Sequence, residues 1–142
     1  MCARTNRKVQ SVMPDLPSVQ RESFTWPEGK RSYVPVIARH FIVGRGARDE
    51  THNHPLFCDL AQATGLDADG AEPGRLMDRL HAAVADGGWL ILTCHDVADE
   101  GRQTTLAEAL DGLCRYAAEP ANGIWVDTVE AIGAHIQEAR PS

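Results

Sequence analysis

The sequence lacks several features that would assign it to a familiar class, and each gap excludes something. No apolar run approaches the roughly 20 residues needed to span a bilayer, and the N-terminal MCARTNRKVQ has no apolar core of a secretory signal. Positive charge is not in surplus. A formal net charge of −6 argues against nucleic-acid binding, which needs Lys and Arg to neutralise phosphates. It argues equally against a basic surface held to anionic membrane lipid. Paired cysteines are also missing. Cys2, Cys58, Cys94 and Cys114 form no Cys-x-x-Cys and match no zinc-ribbon or finger spacing. Cys94 and Cys114 fall inside apolar segments, where a free cysteine acts as a small hydrophobe. Cysteine usage therefore implies reduced, structural thiols in a cytoplasmic protein. There is no low-complexity segment and no repeat longer than one βα unit.

What remains suits a folded domain. Hydrophobic residues make up 43% of the 142 positions and charged residues 24%, enough apolar matter for a core. Residues 1–22 combine Arg4, Arg7, Lys8 and Arg21 with Pro14 and Pro17 and show no sustained periodicity, so they read as a disordered tail. Ser23–Trp26 reads as a short strand stopped by Pro27 and Gly29. Tyr33, Val36, Ile37 and His40 recur at helical spacing, which predicts a helix over 32–39. Phe41–Val43 reads as a strand ended by a Gly44-Arg45-Gly46 turn, followed by a long polar connection through THNHP and Leu56–Leu60. Leu76, Leu80, Ala83 and Val84 predict a helix over 73–85, with Pro73 suited to its first turn.

Trp89–Thr93 (WLILT) is apolar throughout rather than alternating, as expected of a parallel strand covered on both faces. Thr104 or Thr105 can cap a helix carrying Leu106, Leu110, Leu113 and Ala117 on one stripe. Ile124–Val126 reads as a strand, and about 128–139 as a last helix with Val129, Ile132, His135 and Ile136 on one side. Strands alternating with helices place the chain in the α/β class with parallel pairing and right-handed crossovers.

Three stretches resemble the polysaccharide deacetylase family, which includes chitin, chitooligosaccharide and peptidoglycan deacetylases. SFTWPEG (23–29) resembles its strand-plus-Pro-x-Gly motif. WLILTCHDV (89–97) resembles the strand that delivers a catalytic histidine in a Leu-x-His motif. Residues 101–138 resemble the closing helix–strand–helix section, and SYVPVIARHFIVGRG fits one branch of the family. The resemblance covers 23–140. It implies that 23–142 is the C-terminal part of a deacetylase-like domain: a partial (β/α) barrel of about four βα units with parallel strands. The complete family domain opens with paired aspartates and a His-x-x-x-His pair; one aspartate and both histidines hold a divalent metal such as zinc, and the other aspartate acts as base. Neither motif occurs here, so the resemblance implies a truncated hydrolase with no metal ligands in this chain and no activity alone. The stretch between Gly29 and Arg31 is also shortened against that branch, so the chain departs there from the Arg-containing part of the family's strand-plus-Pro-x-Gly motif.

By that resemblance His95 is the catalytic group. It would protonate the departing amine of an N-acetylated sugar or related small amide, since an amide nitrogen leaves poorly without a proton. It falls at the C-terminal end of a strand, where barrel sites form; the plainer reading is a histidine bonded to a backbone carbonyl. Asp96 could orient His95 or touch substrate, but adjacent residues of a strand end point apart, which favours a loop role. Trp26 resembles an aromatic that stacks on a pyranose, and a core role suits it equally. Trp89 and Trp125 read as core residues. His52 and His54, with Cys58 and Asp59 close behind, could reach one metal ion from an extended segment; a solvated polar loop explains them more simply.

Arg45 between two glycines could contact a carboxylate or phosphate, or could merely mark a turn. His40, His81 and His135 read as structural or surface residues. A half barrel leaves a strand edge and an apolar sheet face uncovered, so self-association or a covering partner is expected. The rival reading is a non-catalytic carbohydrate-binding or interaction domain.

Overall fold

The computed structural model describes residues 34–49 and 51–141, with backbone only at 47–49. The sequence-predicted tail (1–22), the first strand and Trp26 lie outside the described residues. In order, the chain forms α1 (Val34–His40), β1 (Arg45–Asp49), a 3-10 turn (Leu60–Gln62), β2 (Ala63–Asp67), α2 (Pro73–Ala85) and β3 (Leu92–Thr93). It continues through β4 (Asp96–Ala98), β5 (Thr104–Leu106), α3 (Ala107–Ala118), a second 3-10 turn (Pro120–Asn122) and α4 (Val129–Ala139). The fold is mixed α/β. β1, β2 and β3 form a parallel three-stranded sheet in that order, β4 and β5 form a separate parallel pair, and the sheets do not close. Among the described residues no helix is long and apolar enough to cross a membrane.

The segment Trp89–Cys94 organises the interior. Trp89 and Ile91 join Val43, Ala63 and Ile136 in one buried cluster. Leu90, Leu92 and Cys94 pack instead against Ala68, Ala71, Leu76, Leu80, Ala109 and Leu113. Successive side chains of extended chain point to opposite faces, so a run apolar at every position separates two cores. Only Leu92 and Thr93 pair as a regular strand; Trp89 bonds antiparallel to Asn53. The helices supply the outer walls. Leu76, Leu80 and Ala83 form the buried stripe of α2, Ala109 and Leu113 that of α3, and Gly133 and Ile136 that of α4. Thr128 caps α4 by accepting the Ala131 N–H at 3.1 Å.

Several elements differ from the sequence expectation. β2, at the centre of the sheet, is spelled ATGLD and has Leu66 as its one large apolar residue, so a polar connection was expected there. Phe41–Val43 is not a strand; β1 starts at Arg45, where a glycine turn was expected. Glycine permits a turn without imposing one, and pairing with Ala63 and Gly65 decides the matter. Thr104 and Thr105 lie in β5 rather than capping a helix, and α3 begins after Leu106 with no side-chain cap. In the β4–β5 connection Gly101 takes φ +147°, and a Cβ there would collide with the Thr104 side chain, so the turn requires glycine. Ile124–Val126 is irregular, since no strand among the described residues lies beside it. Trp125 is accordingly not a core residue: it is 51% exposed and meets His135 edge-on.

Candidate functional site

Two parallel neighbours, β2 and β3, end at Asp67 and Thr93. The chain beyond each contributes one half of a pair: Asp69 follows β2 and His95 follows β3. The Asp69 Oδ2 atom lies 2.6 Å from His95 Nδ1. Its Oδ1 accepts the His95 backbone N–H at 3.3 Å and the Thr105 hydroxyl at 3.0 Å. Thr105 is fully buried in β5, so three segments converge on a single carboxylate.

The exposures of the two partners differ sharply. The Asp69 side chain is 7% exposed and that of His95 is 54% exposed. A carboxylate that serves as acceptor places the imidazole proton on Nδ1, which leaves Nε2 as the atom facing outward. The arrangement can therefore accept or deliver a proton at Nε2 while the ring is held from behind. The end of adjacent parallel strands is also where α/β folds place their sites.

Other expected site residues stand apart. Asp96 is exposed, begins β4, and accepts the Val97 N–H at 2.8 Å, so it shapes the chain rather than holding the imidazole. The positioning carboxylate is Asp69, which sequence reading missed. Its signal was present: once ATGLD is a strand, Asp69 falls just past the C-terminal end, as His95 does. His52 and His54 do not converge. His52 Nε2 pairs with Asp86 Oδ2 at 3.0 Å, and His54 stacks on Phe57 with ring centroids 4.7 Å apart. Among the described residues no three His, Cys, Asp or Glu side chains gather to hold a metal ion. The zinc implied by the resemblance thus finds no donor set in this part of the chain. His81 meets Tyr116 edge-on, and Trp89 is buried as expected.

Cys94 adjoins the pair. Burial pushes its thiol pKa up; a hydrogen bond to Thr105 opposes this, and the nearby Asp69 and Asp67 charges add to it. Such a thiol is a poor nucleophile at neutral pH. No family model, curated protein or solved structure matches the chain.

Proposed function

We propose that this chain supplies the acid–base part of a polysaccharide deacetylase-type hydrolase, acting on carbon–nitrogen bonds other than peptide bonds in N-acetylated sugars or related small amides. The observation that carries the reading is the exposed His95 imidazole held by the buried Asp69 carboxylate at the ends of β2 and β3. Amide cleavage needs a proton delivered to nitrogen as the bond breaks, and Nε2 of a histidine fixed through Nδ1 is suited to that task. The family resemblance of WLILTCHDV supports the same residue. β1 to β3 and the intervening helix would belong to a partial deacetylase-type barrel of about four βα units. The metal-binding half would lie outside the described residues, and the chain alone would be inactive. Exposed Leu56, Phe57, Trp125 and Val126 support a covering partner or self-association; a cytoplasmic setting belongs to the same reading through the cysteine usage.

The test joins the chain to a metal-binding N-terminal half of a chitooligosaccharide deacetylase and follows acetate release from an N-acetylglucosamine oligomer. Metal-dependent release should appear, and His95→Gln should lower it by about 10²–10⁴-fold, the usual worth of a positioned acid. Release unaffected by His95→Gln would overturn the assignment. So would one tight zinc per isolated chain, measured by calorimetry, with acetate released in its presence. Binding of the sugar by the isolated chain, seen in tryptophan fluorescence, together with no release from the joined protein, would instead support the carbohydrate-binding alternative.

A further inference from the structure

Arg45 opens β1, and its guanidinium lies along the sheet toward β3. The Nη1 atom donates to the Gly46 carbonyl and to the Thr93 hydroxyl, both at 2.8 Å. Gly65 on β2 leaves room for this crossing: a Cβ there would stand 3.3 Å from Thr93 Oγ1, which would have to give slightly, and in contact with Arg45 Cδ at 3.4 Å. Arg45, Gly65 and Thr93 therefore sit side by side over the sheet, with the smallest residue beneath the guanidinium.

The two acceptors occupy both Nη1 protons. Three donors remain, on Nε and Nη2, and no partner for them occurs among the described residues. Burial holds the Arg45 pKa below the ordinary arginine value. A half-buried charge is costly unless paired, and no carboxylate of the described residues pairs with this one. The free Nε–Nη2 edge is the planar fork that binds a carboxylate through two parallel hydrogen bonds. Thr93, which fixes the other side of the guanidinium, is two residues before His95, a separation of at most about 7 Å along extended chain.

We propose that Arg45 is a carboxylate-recognition residue beside His95, so that the preferred ligand is an N-acyl compound bearing a carboxylate near its amide. In its choice of an amide, this rests on the hydrolase reading of His95; the carboxylate contact does not. Thr93 and the Gly46 carbonyl pre-set the guanidinium, so little side-chain freedom is lost on binding.

The test compares N-acetylglycine with its uncharged amide, N-acetylglycinamide, titrated into the full chain while the Arg45 Nε–Hε resonance is followed by NMR. N-acetylglycine should shift that resonance and bind at least about tenfold more tightly than the amide, the scale of one charge-assisted hydrogen-bonded pair. Arg45→Gln should remove the difference. Arg45→Lys, which keeps the charge and loses the fork, should recover only part of it. If Arg45→Gln does not fold, Thr93→Val serves: it releases Nη1, leaves the charge, and should weaken N-acetylglycine several-fold. Equal affinity for the two compounds in the wild-type chain would overturn the proposal. So would a resonance that moves with inorganic phosphate but not with N-acetylglycine. The two readings fail separately. Loss of the carboxylate effect leaves His95-dependent acetate release from the neutral N-acetylglucosamine oligomer untouched. Release that ignores His95→Gln leaves the Arg45 shift untouched.

Discussion

Among the described residues there are two aspartate–histidine pairs, and they bury opposite partners. At the ends of β2 and β3, Asp69 is buried and the His95 imidazole is presented outward. Beside the C-terminus of α2, His52 is the sheltered member at 17% exposure and Asp86 the open one at 61%. Similar chemistry at a similar distance thus has two uses. A buried carboxylate with three donors around it aims a ring into solvent. A sheltered ring with one exposed carboxylate fastens a loop to a helix end. Burial of the partner, more than the presence of the pair, distinguishes a candidate site from a tether.

The largest effect that would test this contrast comes from Asp69→Ala. It leaves the buried Thr105 hydroxyl and the His95 N–H without their acceptor. An unmet buried donor and the loss of bonds to a charged group should together cost about 2–4 kcal/mol. The urea midpoint should fall with no change in the slope of the transition. A loss under about 0.5 kcal/mol, within the range of ordinary surface substitutions, would mean that Asp69 does not anchor the corner, and the distinction between the pairs would collapse.

The sequence disclosed one side of each pair and hid the other. His95 was singled out by the family resemblance of WLILTCHDV, and its place just past a strand that is apolar at every position agrees with that reading. Asp69 was not, because its strand is ATGLD, where Ala63 and Gly65 carry no strand signal and are buried by what packs around them. The helices at 73–85 and about 128–139 were legible from apolar spacing, with Pro73 suited to the first turn of the earlier one, and such signals are local. The roles of Thr105 and Arg45 were not. Thr105 offers a hydroxyl that could cap a helix, and only the arrival of Asp69 from 36 residues away claims it. Arg45 reads as a turn residue until Thr93, 48 residues on, fixes its guanidinium. Local signals show where elements form, while long-range partners decide what their polar residues do.

A smaller effect comes from Cys94, which shares the corner with Asp69 and Thr105. Its pKa is raised chiefly by burial, so the folded chain favours the neutral thiol. The stabilisation is fully present below the unfolded thiol pKa of about 8.5. It is lost as pH climbs from there through the raised folded value, because the unfolded state releases the proton first. Thermal stability of the wild type relative to Cys94→Ala should therefore decline above that pH and stay flat between pH 6 and 8. A difference that does not vary with pH would show that Cys94 is not sheltered with Asp69.

The smallest effect should come from the other pair, and it is the one that makes the comparison quantitative. Asp86 is largely in solvent, so its attraction for His52 is screened and part of any gain is lost in ordering the side chains. Asp86→Ala should cost about 0–1 kcal/mol, the range of exposed ion pairs. The double-mutant cycle with His52→Ala removes the backbone contributions at each position and leaves the coupling alone. That coupling should shrink further in 1 M salt. The same cycle across Asp69 and His95 should give a larger coupling that salt barely alters, because one partner is out of water. Equal couplings with equal salt dependence would mean that burial of Asp69 adds nothing to its hold on the ring, and that His95 is no better aimed than His52.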